Sequence, residues 1–400
     1  MVFPVHATVW YVHPDSVLNS IQEALSLCAD HDTVLVGPGT YYENIVWPYI
    51  QGIDLISEKG ADKTIIDGGT VDRVIQMRST ADTTTKIKGF TIQNGHTSAF
   101  GGGIFCDYGA APLISNNIII DNRAGSNGGG GIYCTGSTVV TDNIISDNIA
   151  YLITWWSTGG GIYCDGSPTI TNNTITGNIA DYAGGIFCMG LTPVISGNVI
   201  SDNLAFLYGG GIYCWDNAPT ISHNTITNNT SGCGGGIYCE AASPNIDSCI
   251  ISNNTIDGVY CMAESSPLIR NNNIVGNSGC GVHNIDSTAL VPAEYNWWGD
   301  PTGPYHPDSN PTGLGDPVSD YVAFAPWLEQ AVGVIEEGVV EIKPTKRGAT
   351  IISGPLLLPE GKTCRVFDIT GRIVTPDRMS PGIYFVEVDG EITQKVVKVR

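Results

Sequence analysis

The side chains best placed for chemistry are carboxylates at one recurring position of a repeat. Asp107, Asp165 and Glu240 each follow a cysteine directly, and Asp216 lies one place beyond another. Two carboxyl groups roughly 6.5–9.5 Å apart can hydrolyse a glycosidic bond, one protonating the leaving oxygen while the other activates water. Residues two coils apart in a column of stacked strands are about 9.6 Å apart, so Asp165, Asp216 and Glu240 are the candidate catalytic acids. The competing reading makes them solvated turn residues. Elimination beside a carboxylate needs a base, commonly Arg or Lys. Arg123, Arg270, Lys86 and Lys88 are isolated and no Lys or Arg lies between Arg123 and Arg270, so a lyase would have to recruit His223, His283 or a tyrosine.

Asp121, Asp147 and Asp202 form a second column, in which the coil between Asp147 and Asp202 carries Gly177. Carboxylates one rung apart repel unless protonated, hydrated or bridged by a cation. Asp121 and Asp147 are therefore the candidate metal ligands, for Ca²⁺ with its preference for oxygen donors, though no cofactor is required and water-facing Asp is the alternative. Aromatic side chains supply a third set. Tyr151, Trp155, Trp156, Tyr182, Phe206 and Tyr208 crowd the least repetitive loops, and Trp215 stands near them in sequence. Side by side they would make an apolar binding surface. Alternatively they fold over the body of the protein and pack together.

What must position these groups is a repeat. Gly-Gly-Gly-Ile-Tyr-Cys or a variant returns every 22 to 30 residues, with cysteines at 106, 134, 164, 188, 214, 239 and 261. A second phrase, as in Asn172-Asn173-Thr174-Ile175-Thr176-Gly177-Asn178, keeps the same period with ladder positions Asn117, Asn143, Asn173, Asn198, Asn224, Cys249 and Asn272. Two phrases locked together define one unit, and a period near 25 predicts a solenoid of short strands. Alternation within Ile-Tyr-Cys sends Ile and Cys inward and the aromatic outward, predicting an aromatic ladder of Phe105, Tyr133, Tyr163, Phe187, Tyr213, Tyr238, Tyr260 and finally His283. The stacked cysteines read as buried thiols, while Cys233, Cys249 and Cys280 depart from the pattern and are the expected bridge formers. Phe90 takes an asparagine place, as a packing position would allow. Helical spacing of Val17, Ile21, Ala24, Leu25 and Cys28 predicts one helix over 15–29, capped by Asp15 or Ser16.

Composition agrees with an all-β chain: 50 of 400 residues are glycine and few are long helix formers. Residues 1–328 hold 8 Lys and Arg against 29 Asp and Glu, which excludes nucleic acid as a partner. No apolar run reaches the length of a membrane span.

Residues 15–328 resemble the right-handed parallel β-helix proteins of the pectin-lyase-like class. The resemblance rests on Ile21-Gln22-Glu23-Ala24 through Gly39-Thr40-Tyr41-Tyr42-Glu43-Asn44, and on Asn296-Trp297-Trp298-Gly299-Asp300-Pro301 with Pro326-Trp327-Leu328. It implies about ten coils over 33–290, an N-terminal cap over 8–32 and a C-terminal cap over 291–328. Residues 1–7 read as a signal-peptide remnant and 329–342 as a linker. Val366-Phe367-Asp368-Ile369-Thr370-Gly371-Arg372, Ser380-Pro381-Gly382-Ile383-Tyr384 and the final Lys395–Arg400 resemble the C-terminal sorting domain of the type IX secretion system, a small β-sandwich-like domain over 343–400. That implies a secreted or outer-surface bacterial protein handled by that machinery. The expected function is a non-catalytic adhesin or glycan-binding stalk, its partner a polysaccharide or a host or neighbouring cell surface. The alternatives are a polysaccharide lyase or glycoside hydrolase of the same fold, and a self-associating surface protein.

Overall fold

The computed structural model describes residues 7–125, 128–150 and 156–332, and in the C-terminal stretch four strands with a few residues between them. The chain divides into two compact units, residues 1–332 and 333–400.

Each coil of the first unit places one short strand on each of three faces, and every strand pairs in parallel with its equivalent in the next coil. The first sheet has eleven strands from Val9–Val12 to Leu268–Arg270, the second ten from Gly39–Tyr42 to Asn273–Val275, and the third ten from Ile45–Val46 to Val282–Asn284. A fourth sheet of four strands, Arg123–Ala124, Ile149–Ala150, Ile179–Tyr182 and Leu204–Tyr208, covers only the middle coils. This is the right-handed β-solenoid of about ten coils that the repeat predicts. Its first sheet begins at Val9, within the stretch assigned to the cap.

Alternation decides the core. Ile132 and Cys134 are fully buried, as are their equivalents Ile162 and Cys164, in one continuous cluster with Ile145, Ile175 and Val140. Burying each such side chain contributes about 1.5–3 kcal/mol. All twelve cysteines are unbridged, including Cys233, Cys249 and Cys280, where bridges were expected. Cys188 and Cys214 stack with Sγ atoms 3.5 Å apart. Burial pushes the Cys106 thiol up to about 12, which suits its role as a small apolar group.

Two asparagine columns brace the corners. Asn173 Oδ1 accepts from both the backbone N–H and the Nδ2 of Asn143, 3.0 Å each, and Asn173 passes the same pair of bonds to Asn198. A second column runs from Asn122 through Asn148, Asn178, Asn203, Asn229 and Asn254 to Asn277. These amides satisfy backbone donors and carbonyls that a corner would otherwise leave unpaired. Phe90 is fully buried and its N–H bonds Asn117 Oδ1, so it opens the first column from a packing position.

The glycine triplet turns the third corner. Gly129 has φ of +70°, in the left-handed region. A Cβ on Gly130 would sit 2.4 Å from the Gly160 carbonyl oxygen.

The helix spans Ile21–Leu27, shorter than 15–29, with Ser20 rather than Asp15 or Ser16 as N-cap. Glu43 sets that start, because its carboxylate accepts from the N–H groups of Ile21 and Gln22 at 2.8 and 2.7 Å. Val17 consequently lies outside the helix and is fully exposed.

At the far end Asn296 Oδ1 accepts from Asn272 and Asp316 Oδ2 accepts from Asn277, so each column ends on a side chain of the cap. Trp298 is fully buried over the last coil.

In the second unit the described strands form one four-stranded sheet in the order Ala349–Ile352, Glu391–Lys398, Gly382–Val388, Cys364–Asp368. Its pairings are antiparallel except that of Ala349–Ile352, which is parallel. Val366, Tyr384, Val386 and Val396 form a small core of their own.

Candidate functional site

The aromatic ladder forms in the expected register, Phe105–Tyr133–Tyr163–Phe187–Tyr213–Tyr238–Tyr260–His283. Tyr133 and Tyr163 stack at 4.6 Å and Tyr238 and Tyr260 at 5.2 Å, within the range where rings attract one another. The Arg73 guanidinium covers the Phe105 ring at 4.5 Å. The ladder's middle does not face water as alternation alone implies. Phe187, Tyr213 and Tyr238 are buried beneath the fourth sheet, where Tyr208 stacks on Tyr238 at 4.8 Å and Tyr182 lies 6.0 Å from Tyr213. Tyr182 and Tyr208 are half-buried in this packing.

The solvent-facing aromatics stand at the edges of that cluster. Trp156 is 64% exposed and stacks on Tyr182 at 5.7 Å, Phe206 is 61% exposed, and Trp215 is 42% exposed with its ring edge-on to Phe187 at 6.3 Å. Ring contacts run unbroken from Trp156 through Tyr182, Tyr213 and Phe187 to Trp215. Tyr151 and Trp155 lie outside the described residues.

Trp215 walls a cleft of about 320 Å³ that is shared with Met189, Gly190, Leu191 and Asp216. Asp216 sits there at φ of +49°, a corner position that short polar side chains tolerate. Asp165 reaches the rim, its Oδ1 lying 2.6 Å from where a Cβ on Gly190 would be. Three residues named on sequence grounds thus meet around one cleft. Glu240 shares a column with Asp165 in the order Asp165, Met189, Trp215, Glu240. Three rungs at about 4.8 Å separate the pair by about 14 Å, beyond the span of an inverting couple. The Glu240 carboxylate also accepts the Tyr213 hydroxyl, and Tyr213 is driven far above its ordinary pKa by burial and then by that bond.

Asp121 and Asp147 line a second cleft of about 400 Å³, together with Thr70, Asn94, Gly95, His96, Arg123 and Ile149. Their column contains Asn94, Asp121, Asp147, Gly177, Asp202, Asn228, Asn253 and Gly276, all with φ between +55° and +71°. Residue type there follows the left-handed corner, which only Gly, Asn and Asp adopt readily. Partial burial raises the Asp147 carboxyl above its ordinary pKa, a bond to Ser146 offsets some of this, and the Asp121 charge adds to it. Arg123 makes no ion pair among the described residues and shares the cleft, so it competes with any cation for these carboxylates. The sequence treats Arg123 as isolated; the parallel bridge between His96 and Arg123 sets two nitrogen side chains beside the two acids.

The chain belongs to the right handed beta helix region family, whose model matches residues 73–239 and 161–296. Among solved structures it is similar to the catalytic unit of a thermostable GH87 alpha-1,3-glucanase from Streptomyces thermodiastaticus, with 15% identity and a TM-score of 0.39 over 76% of this chain. The chain spans 65% of the length of that glucanase unit. It is also similar to an alginate lyase from a Paenibacillus species, with 12% identity and a TM-score of 0.33 over 79% of this chain and 99% of that one. No curated protein matches the sequence.

Proposed function

We propose that the protein is an exported, surface-attached β-solenoid that holds a polysaccharide without cleaving it, as an adhesin or glycan-binding stalk. The observation that carries this reading is Trp215, an exposed ring forming one wall of a cleft whose polar groups are Asp216 and, at the rim, Asp165. Sugars present an apolar C–H face to an aromatic ring and hydroxyl donors to carboxylates. Export through the type IX machinery is part of the proposal, supported by the tail motifs of residues 343–400 and by the separate compactness of that unit.

A second reading, polysaccharide cleavage, is favoured by the polar cleft. There a carboxyl of raised pKa at Asp147 stands with Asp121, His96 and Arg123, a set able to give and take protons.

A glycan array probed with the full chain, with and without Ca²⁺, separates the two. Binding that Trp215→Ala weakens by about tenfold, equivalent to about 1.4 kcal/mol, with the glycan recovered intact, is the expected result. Shortened products, abolished by Asp147→Asn and unaffected by Trp215→Ala, establish the enzyme instead. Binding that Trp215→Ala leaves unchanged removes the proposed cleft.

A further inference from the structure

The last two coils break the glycine triplet at the same place. Backbone pairing sets the middle glycine Gly235 opposite Asp257, and Asp257 opposite Cys280, while the aromatic column continues from Tyr260 to His283. A Cβ on Gly235 would strike the Thr255 carbonyl oxygen at 2.2 Å, which is why most coils keep glycine there. In these two coils only two residues, Thr255-Ile256 and Ser278-Gly279, separate the column asparagine from this position, and real side chains replace glycine.

These side chains converge. Asp257, Cys280 and His283 each offer a ligand atom, all within 4.8 Å of one another, and no other such group of three occurs among the described residues. His283 Nδ1 lies 3.3 Å from Asp257 Oδ1, the length of one edge of a tetrahedral site with bonds of about 2.0–2.1 Å. Asp257 is 1% exposed, and its Oδ1 accepts the Cys280 N–H at 3.1 Å. Its Oδ2 is buried with no hydrogen-bond partner. A buried carboxylate oxygen left unpaired is costly, and beside a thiol and an imidazole it is a waiting ligand.

We propose that Asp257, Cys280 and His283 bind a divalent transition-metal ion of the zinc class and so clamp the last two coils together. The donor set of one sulfur, one nitrogen and one oxygen selects zinc-like ions over Ca²⁺, which prefers six to eight oxygens. Two anionic donors match the charge of the ion. His283 is about one-third exposed and Cys280 half-buried, so the ion reaches the site from solvent and keeps a position for water. The inference is independent of the glycan reading, since the site lies at the opposite end of the ladder from Arg73 and uses none of the cleft residues.

The test is titration of the reduced full-length protein with Co²⁺ while thiolate-to-metal absorption is followed. Expected are one ion per chain, a sulfur charge-transfer band, displacement by Zn²⁺ but not by Ca²⁺, and a higher melting temperature with Zn²⁺. Cys280→Ser should abolish the band, leaving the other eleven cysteines in place. His283→Gln, at a partly exposed position, should retain the apo melting temperature while binding at least about tenfold more weakly. A wild-type protein without the band, a band that survives Cys280→Ser, or equal affinity in His283→Gln would each overturn the proposal.

Discussion

Cys249 is the one interruption in the first asparagine column, and replacing it should stabilise the protein. Its own N–H still bonds Asn272 Oδ1 at 2.8 Å, so the chain continues below it. Above it, Asn224 Nδ2 finds only the Cys249 sulfur along the column, at 4.0 Å, beside its bond to the Ile195 carbonyl, whereas at every flanking rung an Oδ1 takes both the Nδ2 and the backbone N–H of the residue above. Cys249→Asn supplies that oxygen. Each neutral buried hydrogen bond contributes about 0.5–1.5 kcal/mol net, so two restored bonds predict a gain of about 1–3 kcal/mol. The new Nδ2 replaces the weak contact of the thiol with the Ile221 carbonyl, at 3.5 Å, as Asn224 Nδ2 already bonds Ile195 at 2.8 Å. Asn173→Ala is the converse. It strips the Asn143 N–H of its acceptor and opens a cavity, for a loss of about 2–5 kcal/mol. For a domain of this length each kcal/mol corresponds to a few degrees, so calorimetry at one scan rate and in reductant resolves both shifts. A lower melting temperature for Cys249→Asn, with Asn173→Ala unchanged, would refute the view that the amide columns stabilise the corners.

Two further outcomes follow from the buried groups. Burial alone would raise the Asp32 carboxyl, but the N–H groups of Ala29 and Thr8 and the Trp10 indole, at 2.9, 2.6 and 3.1 Å, hold it below its ordinary value. A depressed folded-state pKa contributes stability above the unfolded value of about 3.9 and loses it as pH falls through the folded value. Asp32→Asn should therefore melt lower near neutral pH, by the equivalent of about 1.5–3 kcal/mol, and the gap should close in acid; a gap independent of pH would contradict this. A thiol-reactive reagent with chelator present should modify the half-buried Cys233, Cys280 and Cys364 quickly, and the nine buried cysteines only after unfolding. Rapid reaction of Cys134 or Cys164 in the native protein, read by peptide mass, would show that the solenoid core opens.

What the repeat states many times was legible in the sequence: the parallel register, the inward cysteines, the asparagine columns and the aromatic ladder. Features decided by a single distant contact were not. The helix begins at Ser20 because Glu43, 23 residues away from it, accepts its first N–H groups, and no local signal marks that. Ladder burial depended on strands Ile179–Tyr182 and Leu204–Tyr208 lying over Phe187 and Tyr213, which period-2 alternation cannot foresee. The left-handed corner beneath the Asp121 and Asp147 column was not legible because the sequence does not display backbone angles; a column of Asn, Asp and Gly alone is the mark of such a corner. For Asp257 and Cys280 there was a signal, since both replace the middle glycine of a triplet. Reading the departures from the repeat, as well as the repeat, would have found them.

Each coil from Asn117 to Asn224 hands the same two amide bonds to its successor, and this gives the molecule a rule of length. Removing or duplicating one whole coil between Asn117 and Asn229 leaves every corner donor matched, because the coils on either side of the join present identical amides. Cutting within a coil does not. A solenoid halted partway exposes the last pair of donors until Asn296 and Asp316 arrive to receive them, so those two residues act as stop signals for the stack. Descendants of this chain can thus grow or shrink in steps of about one rung, 4.8 Å, while keeping both ends.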